Sequence, residues 1–186
     1  MDSVGILGGT FDPIHQGHLH IARVAMDFAG LNRVVFCPTS ISPLKQDSPP
    51  AASGADRVAM VELAIQDEPR FELCNLEILR GGVSYTIDTI KKIPGNLRLI
   101  LGEDVMASFE NWRDWEKILQ IAPPIVLCRE GANMVDLGRF PGALRVEAPL
   151  VDVSSSMIRK KISEGSSCEG LLPPKVLDYI RENGLY

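Results

Sequence analysis

The sequence predicts an α/β fold built on an open, parallel sheet, and three observations carry that prediction. Short runs rich in β-branched and large apolar residues alternate with segments whose apolar residues recur at helical spacing, the pattern of βα units joined by right-handed crossovers. The first such run enters a glycine-rich turn that opens directly onto a helix, in the stretch GILGGTFDPIHQGHLH from Gly5 to His20. With 186 residues, 45% of them hydrophobic and 23% charged, the chain can bury one sizeable core. A single domain spanning 1–186 is therefore expected, with 155–186 as a helical C-terminal segment.

In chain order, Val4 to Leu7 reads as a strand and Leu19 to Ala29 as a helix, with the glycines and Pro13 forming the turn between them. Such a turn suits phosphate, because Gly8 and Gly9 leave backbone N–H groups uncovered and the helix start adds a favourable dipole. All three histidines of the chain, His15, His18 and His20, fall at this helix start. Arg33 to Cys37 is a second buried strand, ending at Pro38. The stretch 38–54 is a loop of prolines and small polar residues whose one basic residue is Lys45, readable as a solvated charge or as a phosphate ligand. Asp56 to Ile65 is an apolar helix capped by Ser53 or Asp56.

Phe71 to Ile78 reads as a strand, and Ser84 as the N-cap of a helix reaching about Ile93, which Pro94-Gly95 ends. Leu97 to Leu101 is the next buried strand, and at its carboxyl end Asp104 is either a helix cap or a ligand for a ribose hydroxyl. Trp112 and Trp115 are the only tryptophans, and Trp115 opens a helix to Ile121. Pro124 to Arg129 and Leu144 to Glu147 are further strands. Asp152 to Ile162 places a serine cluster ahead of a basic helix, with Arg159 one turn beyond Ser155 and Ser156. The stretch Leu171 to Tyr186, with Pro173-Pro174 near its start, reads as a Pro-initiated terminal helix that ends near Asn183-Gly184.

Bulk properties exclude several classes. A net charge of −5 argues against a broad nucleic-acid surface, and no apolar run approaches the length of a membrane span, so a cytoplasmic protein is expected. Cys37, Cys74, Cys128 and Cys168 are far apart without a Cys-x-x-Cys pair, which favours reduced thiols over zinc or a disulfide framework.

The segment GGTFDPIHQGH, Gly8 to His18, resembles the nucleotidyltransferase signature GGTFDPxHxGH. Its Phe-Asp-Pro version is similar to that of the nicotinate mononucleotide adenylyltransferases within the HxGH superfamily. The likeness continues through GGVSYTIDT at 81–89, Gly102-Glu103-Asp104, the VSSSMIR segment at 153–159 and the terminal LPPKVLDYIRENGLY. Three departures stand out: Leu44 in place of a histidine in the segment ISPLK, Val83 in place of a proline, and Glu103 within the G-x-D turn.

The resemblance implies a Rossmann-like, doubly wound parallel sheet of nucleotidyltransferase type. It further implies adenylyl transfer from ATP to nicotinate mononucleotide, giving deamido-NAD and pyrophosphate. By position, ATP would be bound by Gly8, Gly9, Thr10, Phe11, His15, His18, Ser155, Ser156 and Arg159. The mononucleotide would be bound by Lys45, Tyr85, Thr86, Asp104 and Trp112, and catalysis would rest on His15, His18, Lys45 and Arg159. Mg2+ would ride on the ATP phosphates without a protein metal site. A homo-oligomer stays open, as do a non-catalytic nucleotide-binding module and a transferase acting on nicotinamide mononucleotide or phosphopantetheine. Zinc on His15 and His18 lacks a third ligand.

Overall fold

The computed structural model describes residues 2–43, 49–129, 135–149 and 151–186. Six strands form one sheet in the order β3-β2-β1-β4-β5-β6: β1 Ser3–Gly9, β2 Arg33–Pro38, β3 Phe71–Leu73, β4 Asn96–Gly102, β5 Ile125–Cys128 and β6 Leu144–Glu147. Pairing is parallel in β1 with β4, where Val4 lies beside Leu97 and Ile6 beside Leu99, and parallel again in β4–β5 and β5–β6. The strand order reverses beside β1. In open α/β sheets that is where ligands meet the carboxyl ends of strands, so the Gly8–His20 turn leaves the sheet at the position the topology favours.

The eight α-helices among the described residues are α1 Gln16–Ala29, α2 Gly54–Ile65, α3 Leu76–Arg80, α4 Thr86–Ile90, α5 Glu103–Met106, α6 Trp115–Ile121, α7 Ser155–Ser163 and α8 Pro174–Glu182. The residues divide into two compact units. One comprises Met1–Leu7, Ile21–Val35 and Tyr85–Leu150; the other comprises Gly8–His20, Phe36–Ser84 and Val151–Tyr186. The first holds the β1–β4–β5–β6 ladder, whose Val4, Ile6, Leu99, Ile100, Ile125 and Val126 are all buried. In the second, Phe36 packs edge-on against Phe71 with ring centroids 5.0 Å apart, and Met60, Val61, Val176 and Ile180 are buried on α2 and α8.

Two expectations need correction. The strand foreseen over Phe71 to Ile78 stops at Leu73, and α3 replaces its second half. The Cys74 N–H still reaches the Phe36 carbonyl at 2.8 Å, which places Cys74 beside Cys37 in a parallel register. The next rung would need an N–H from residue 38, and Pro38 has none, so the ladder ends there. Leu76, Glu77, Leu79 and Arg80, good helix formers, then take the chain into one helical turn and a half.

The second correction concerns Ser84. α4 begins at Thr86 with Tyr85 in the cap position, no side chain caps it, and it closes at Ile90 rather than Ile93. Ser84 is instead buried, its hydroxyl oxygen accepting from the Ser40 N–H at 3.1 Å while its own N–H donates to the Ile41 carbonyl at 2.9 Å. By contrast Ser53 caps α2, accepting from the Asp56 N–H at 3.1 Å.

Gly95 turns the chain into β4 with φ of 131°, and a Cβ there would lie 2.9 Å from the Asp2 carbonyl oxygen and 2.8 Å from Val4 Cγ2. Gly95→Ala should therefore lower stability by about 1–3 kcal/mol, read as a fall in the thermal unfolding midpoint.

Candidate active site

The turn after β1 is built to leave backbone uncovered. A Cβ on Gly8 would meet nothing within 4 Å, whereas one on Gly9 would press on the Phe11 ring at 3.0 Å. Phe11 itself adopts φ of 50°, an uncommon conformation for a side chain of that size. It is held there by burial, its ring lying edge-on to His18 with centroids 5.0 Å apart and tilted against Phe36 at 6.0 Å.

Two buried charges that sequence reading left without a structural role hold this turn in place. The Asp12 carboxylate accepts from the Ala51 N–H at 2.8 Å, the Ala52 N–H at 3.0 Å and the Tyr186 hydroxyl at 2.7 Å. Burial, together with the hydrogen bond to Asp12, raises the pKa of the Tyr186 hydroxyl, so it stays a donor. Arg57, 2% exposed, donates from Nη1 to the carbonyls of Thr10 and Thr39, each at 2.7 Å. Thr39 N–H in turn reaches the Gly9 carbonyl at 2.9 Å. Arg57 thus ties the turn to the segment that follows β2. Its only sequence signal is an arginine inside the apolar helix DRVAMVELAI.

His15 and His18 sit side by side at the start of α1, rings stacked with centroids 3.7 Å apart and 25° between planes. His18 Nδ1 accepts from the His15 backbone N–H at 3.2 Å, which puts the proton of neutral His18 on Nε2. Burial pushes the His15 pKa down to about 4. Burial and the neighbouring His15 push His18 well below its ordinary value. Both rings are therefore neutral near pH 7, offering N–H donors rather than full charges. Gly17 between them is required by space, since a Cβ would stand 3.0 Å from His15 Nδ1 and 3.0 Å from Val153 Cγ1. That nitrogen of His15 is buried with no hydrogen-bond partner among the described residues.

α7 approaches the same turn within the same unit. Ser154 is its N-cap, accepting from the Met157 N–H at 3.2 Å. Ser155 donates its hydroxyl to the Pro13 carbonyl at 2.9 Å. Arg159 donates from Nη1 to the Asp12 carbonyl at 2.7 Å and from Nη2 to the Ser156 hydroxyl at 3.3 Å, with one third of its side chain exposed. Gly8, Gly9, Thr10, Phe11, His15, His18, Ser155, Ser156 and Arg159 thus all lie in this one unit. Lys45 and Leu44 lie outside the described residues.

The residues expected at the mononucleotide lie in the other unit. The Arg113 guanidinium stands over the Tyr85 ring, 4.7 Å from its centroid. Trp112 leans on Phe109 with centroids 5.4 Å apart, and its indole Nε1 is buried without a hydrogen-bond partner among the described residues. Trp115 joins the same aromatic cluster, edge-on to Phe109 and Phe140. Asp104 is exposed and follows Gly102, where a Cβ would lie 2.7 Å from its Oδ1. Glu103 is buried beside it and paired with Arg145 at 3.1 Å, and Arg145 also donates to the Val135 carbonyl at 2.6 Å. The unexpected glutamate therefore anchors the turn after β4.

A model of the cytidylyltransferase-like family matches residues 6–161. The chain is 38% identical to a Neisseria meningitidis protein named "Probable nicotinate-nucleotide adenylyltransferase", covering all of this chain and 99% of the relative. It is 39% identical to a protein of the same name from Herpetosiphon aurantiacus, again over all of this chain and 99% of the relative. Among solved structures it is similar in fold to the Plasmodium falciparum nicotinic acid mononucleotide adenylyltransferase complexed with NaAD. That likeness has a TM-score of 0.79 at 21% identity and covers all of this chain and 98% of the other.

The neutral His15 has a consequence for stability. Between the ordinary pKa of 6.5 and the folded value of about 4, the unfolded chain binds a proton that the folded chain does not. Its contribution is therefore complete above the upper value and is lost as pH falls through that window. The thermal midpoint of the wild type should drop relative to that of His15→Gln between those two pH values, and run parallel to it above them.

Proposed function

This chain belongs to the nicotinate-nucleotide adenylyltransferases of the cytidylyltransferase-like family, and from that premise we propose that it transfers the adenylyl group of ATP to nicotinate mononucleotide. The products are nicotinate adenine dinucleotide and pyrophosphate. The observation that carries the reading is the full-length likeness to enzymes of that name, joined to a GGTFDPIHQGH turn whose two histidines stack at a helix start beside Arg159.

The acceptor phosphate is already a nucleophile at neutral pH, so the reaction needs alignment and donors for developing charge rather than a general base. In this reading the uncovered backbone at Gly8, Gly9, Thr10 and Phe11 cradles the ATP phosphates, and His15 and His18 donate N–H groups to them. Two neutral donors suit this chemistry, because they do not bind the ground-state polyanion as tightly as two cations would and they strengthen as charge accumulates. Arg159 supplies the charged fork, aided by Ser156, and Lys45 a second cation; Ser155, held on Pro13, sets the approach of α7.

Tyr85, Thr86, Asp104 and Trp112 are assigned to the mononucleotide. Trp112 offers an indole face for a pyridine ring, and an acid that only accepts hydrogen bonds suits backbone N–H donors at Tyr85-Thr86. Magnesium enters with ATP, on its phosphates; among the described residues no group of three or more metal-binding side chains comes together. No described helix is long and apolar enough to cross a membrane, and the reading places the enzyme in the cytoplasm.

Pyrophosphate release with ATP and a panel of acceptors tests the activity. Nicotinate mononucleotide should be used better than its amide by at least about tenfold, roughly 1.4 kcal/mol. Release with neither mononucleotide, or only with phosphopantetheine, would overturn the reading. His18→Ala should lower kcat by about 10²–10³ while leaving the KM for ATP little changed, as loss of a donor aimed at the transition state does.

A further inference from the structure

Away from the histidines and α7, the end of β2 carries two thiols side by side. Cys37 is 2% exposed, whereas Cys74 is only half-buried. The Cys74 N–H bond to the Phe36 carbonyl makes Cys37 its lateral partner, so both side chains leave the same face of the sheet. Paired residues on neighbouring strands stand about 4.8 Å apart, within the separation a disulfide spans. The two thiols act on each other's ionisation, Cys37 favouring the thiolate of Cys74 and Cys74 disfavouring that of Cys37. The remaining cysteines differ: Cys128 and Cys168 are both buried, with their thiols turned to the Val126 carbonyl at 3.7 Å and the Ile158 carbonyl at 3.9 Å.

We propose that Cys37 and Cys74 form a peroxide-sensitive dithiol, with Cys74 as the attacking sulfur and Cys37 as the resolving one. The thiolate of Cys74 attacks one oxygen of hydrogen peroxide; an S–O bond forms, the O–O bond breaks, and hydroxide leaves to take up a proton as water. Cys37 then gives its proton to the departing oxygen of the Cys74 sulfenic acid and attacks that sulfur. The S–S bond forms, the S–O bond breaks and a second water leaves. Two thiols are thereby oxidised by two electrons, and the peroxide is reduced to two waters.

The environment supports this division of labour. The Cys37 thiol and the Leu76 backbone lower the Cys74 pKa to about 6, while the same pairing and burial raise that of Cys37. The half-buried thiol is thus the ionised one, and the buried thiol keeps its proton until an acceptor sulfur appears beside it.

The test is made on the reduced wild-type protein, exposed to a modest excess of hydrogen peroxide and then alkylated without reductant. Peptide mass analysis should show the Cys37 peptide joined to the Cys74 peptide, with two of the four thiols lost and both recovered by dithiothreitol. In Cys37→Ser, Cys74 should instead accumulate as a sulfenic acid captured by dimedone. Oxidation of Cys128 or Cys168 at the same rate as Cys74 would overturn the proposal. So would dimedone capture of Cys74 in the wild type with no linked peptide.

Discussion

The buried carboxylate of Asp12 is the constraint on which the Gly8–His20 turn depends. A carboxylate removed from water is costly unless its lone pairs are filled, and here two backbone N–H groups and a phenol fill them while Arg159 lies 3.8 Å away. Those donors come from two separate stretches of chain, so a single charge holds the start of the turn, residues 51 and 52, and the C-terminal residue to one geometry. Arg57 does the complementary work on acceptors, drawing the Thr10 and Thr39 carbonyls to one guanidinium nitrogen. An anion and a cation, both buried, thus organise backbone that carries no side chain of its own at Gly8 and Gly9.

That division leaves the histidines free of structural charge. His18 is oriented by the His15 backbone rather than by a carboxylate, and His15 lies under it as a neutral ring. The usual device for holding an imidazole, a buried acid on its far nitrogen, would raise its pKa and make a cation of it. Here the acid nearby in sequence, Asp12, is fully occupied elsewhere. The two rings are consequently kept neutral and fixed in orientation by backbone and stacking alone.

Much of this was legible in the sequence because it is local. The turn, the strands bracketing it, the Trp115 helix and the serine cluster ahead of Arg159 follow from spacing within a dozen residues, and α6 begins and ends at the expected residues. What escaped is settled by neighbours in space. The strand expected to reach Ile78 ends early because Pro38, on the adjacent strand, cannot donate. Ser84 looked like a cap but serves Ser40 instead. Arg57 draws no notice within the apolar helix DRVAMVELAI, and only the carbonyls of Thr10 and Thr39 reveal its role.

The contacts of Asp12 also span nearly the whole chain, since Arg159 lies 147 positions beyond it and Tyr186 174 positions beyond it. A ribosome adding about 5–20 residues per second makes Asp12 roughly 10–35 s before it makes Tyr186. During that interval the glycine turn and both histidines exist, but the carboxylate that anchors them still lacks its phenol donor. A growing polypeptide therefore holds the glycine turn without its phenol donor, and that connection is made only once Tyr186 has left the ribosome.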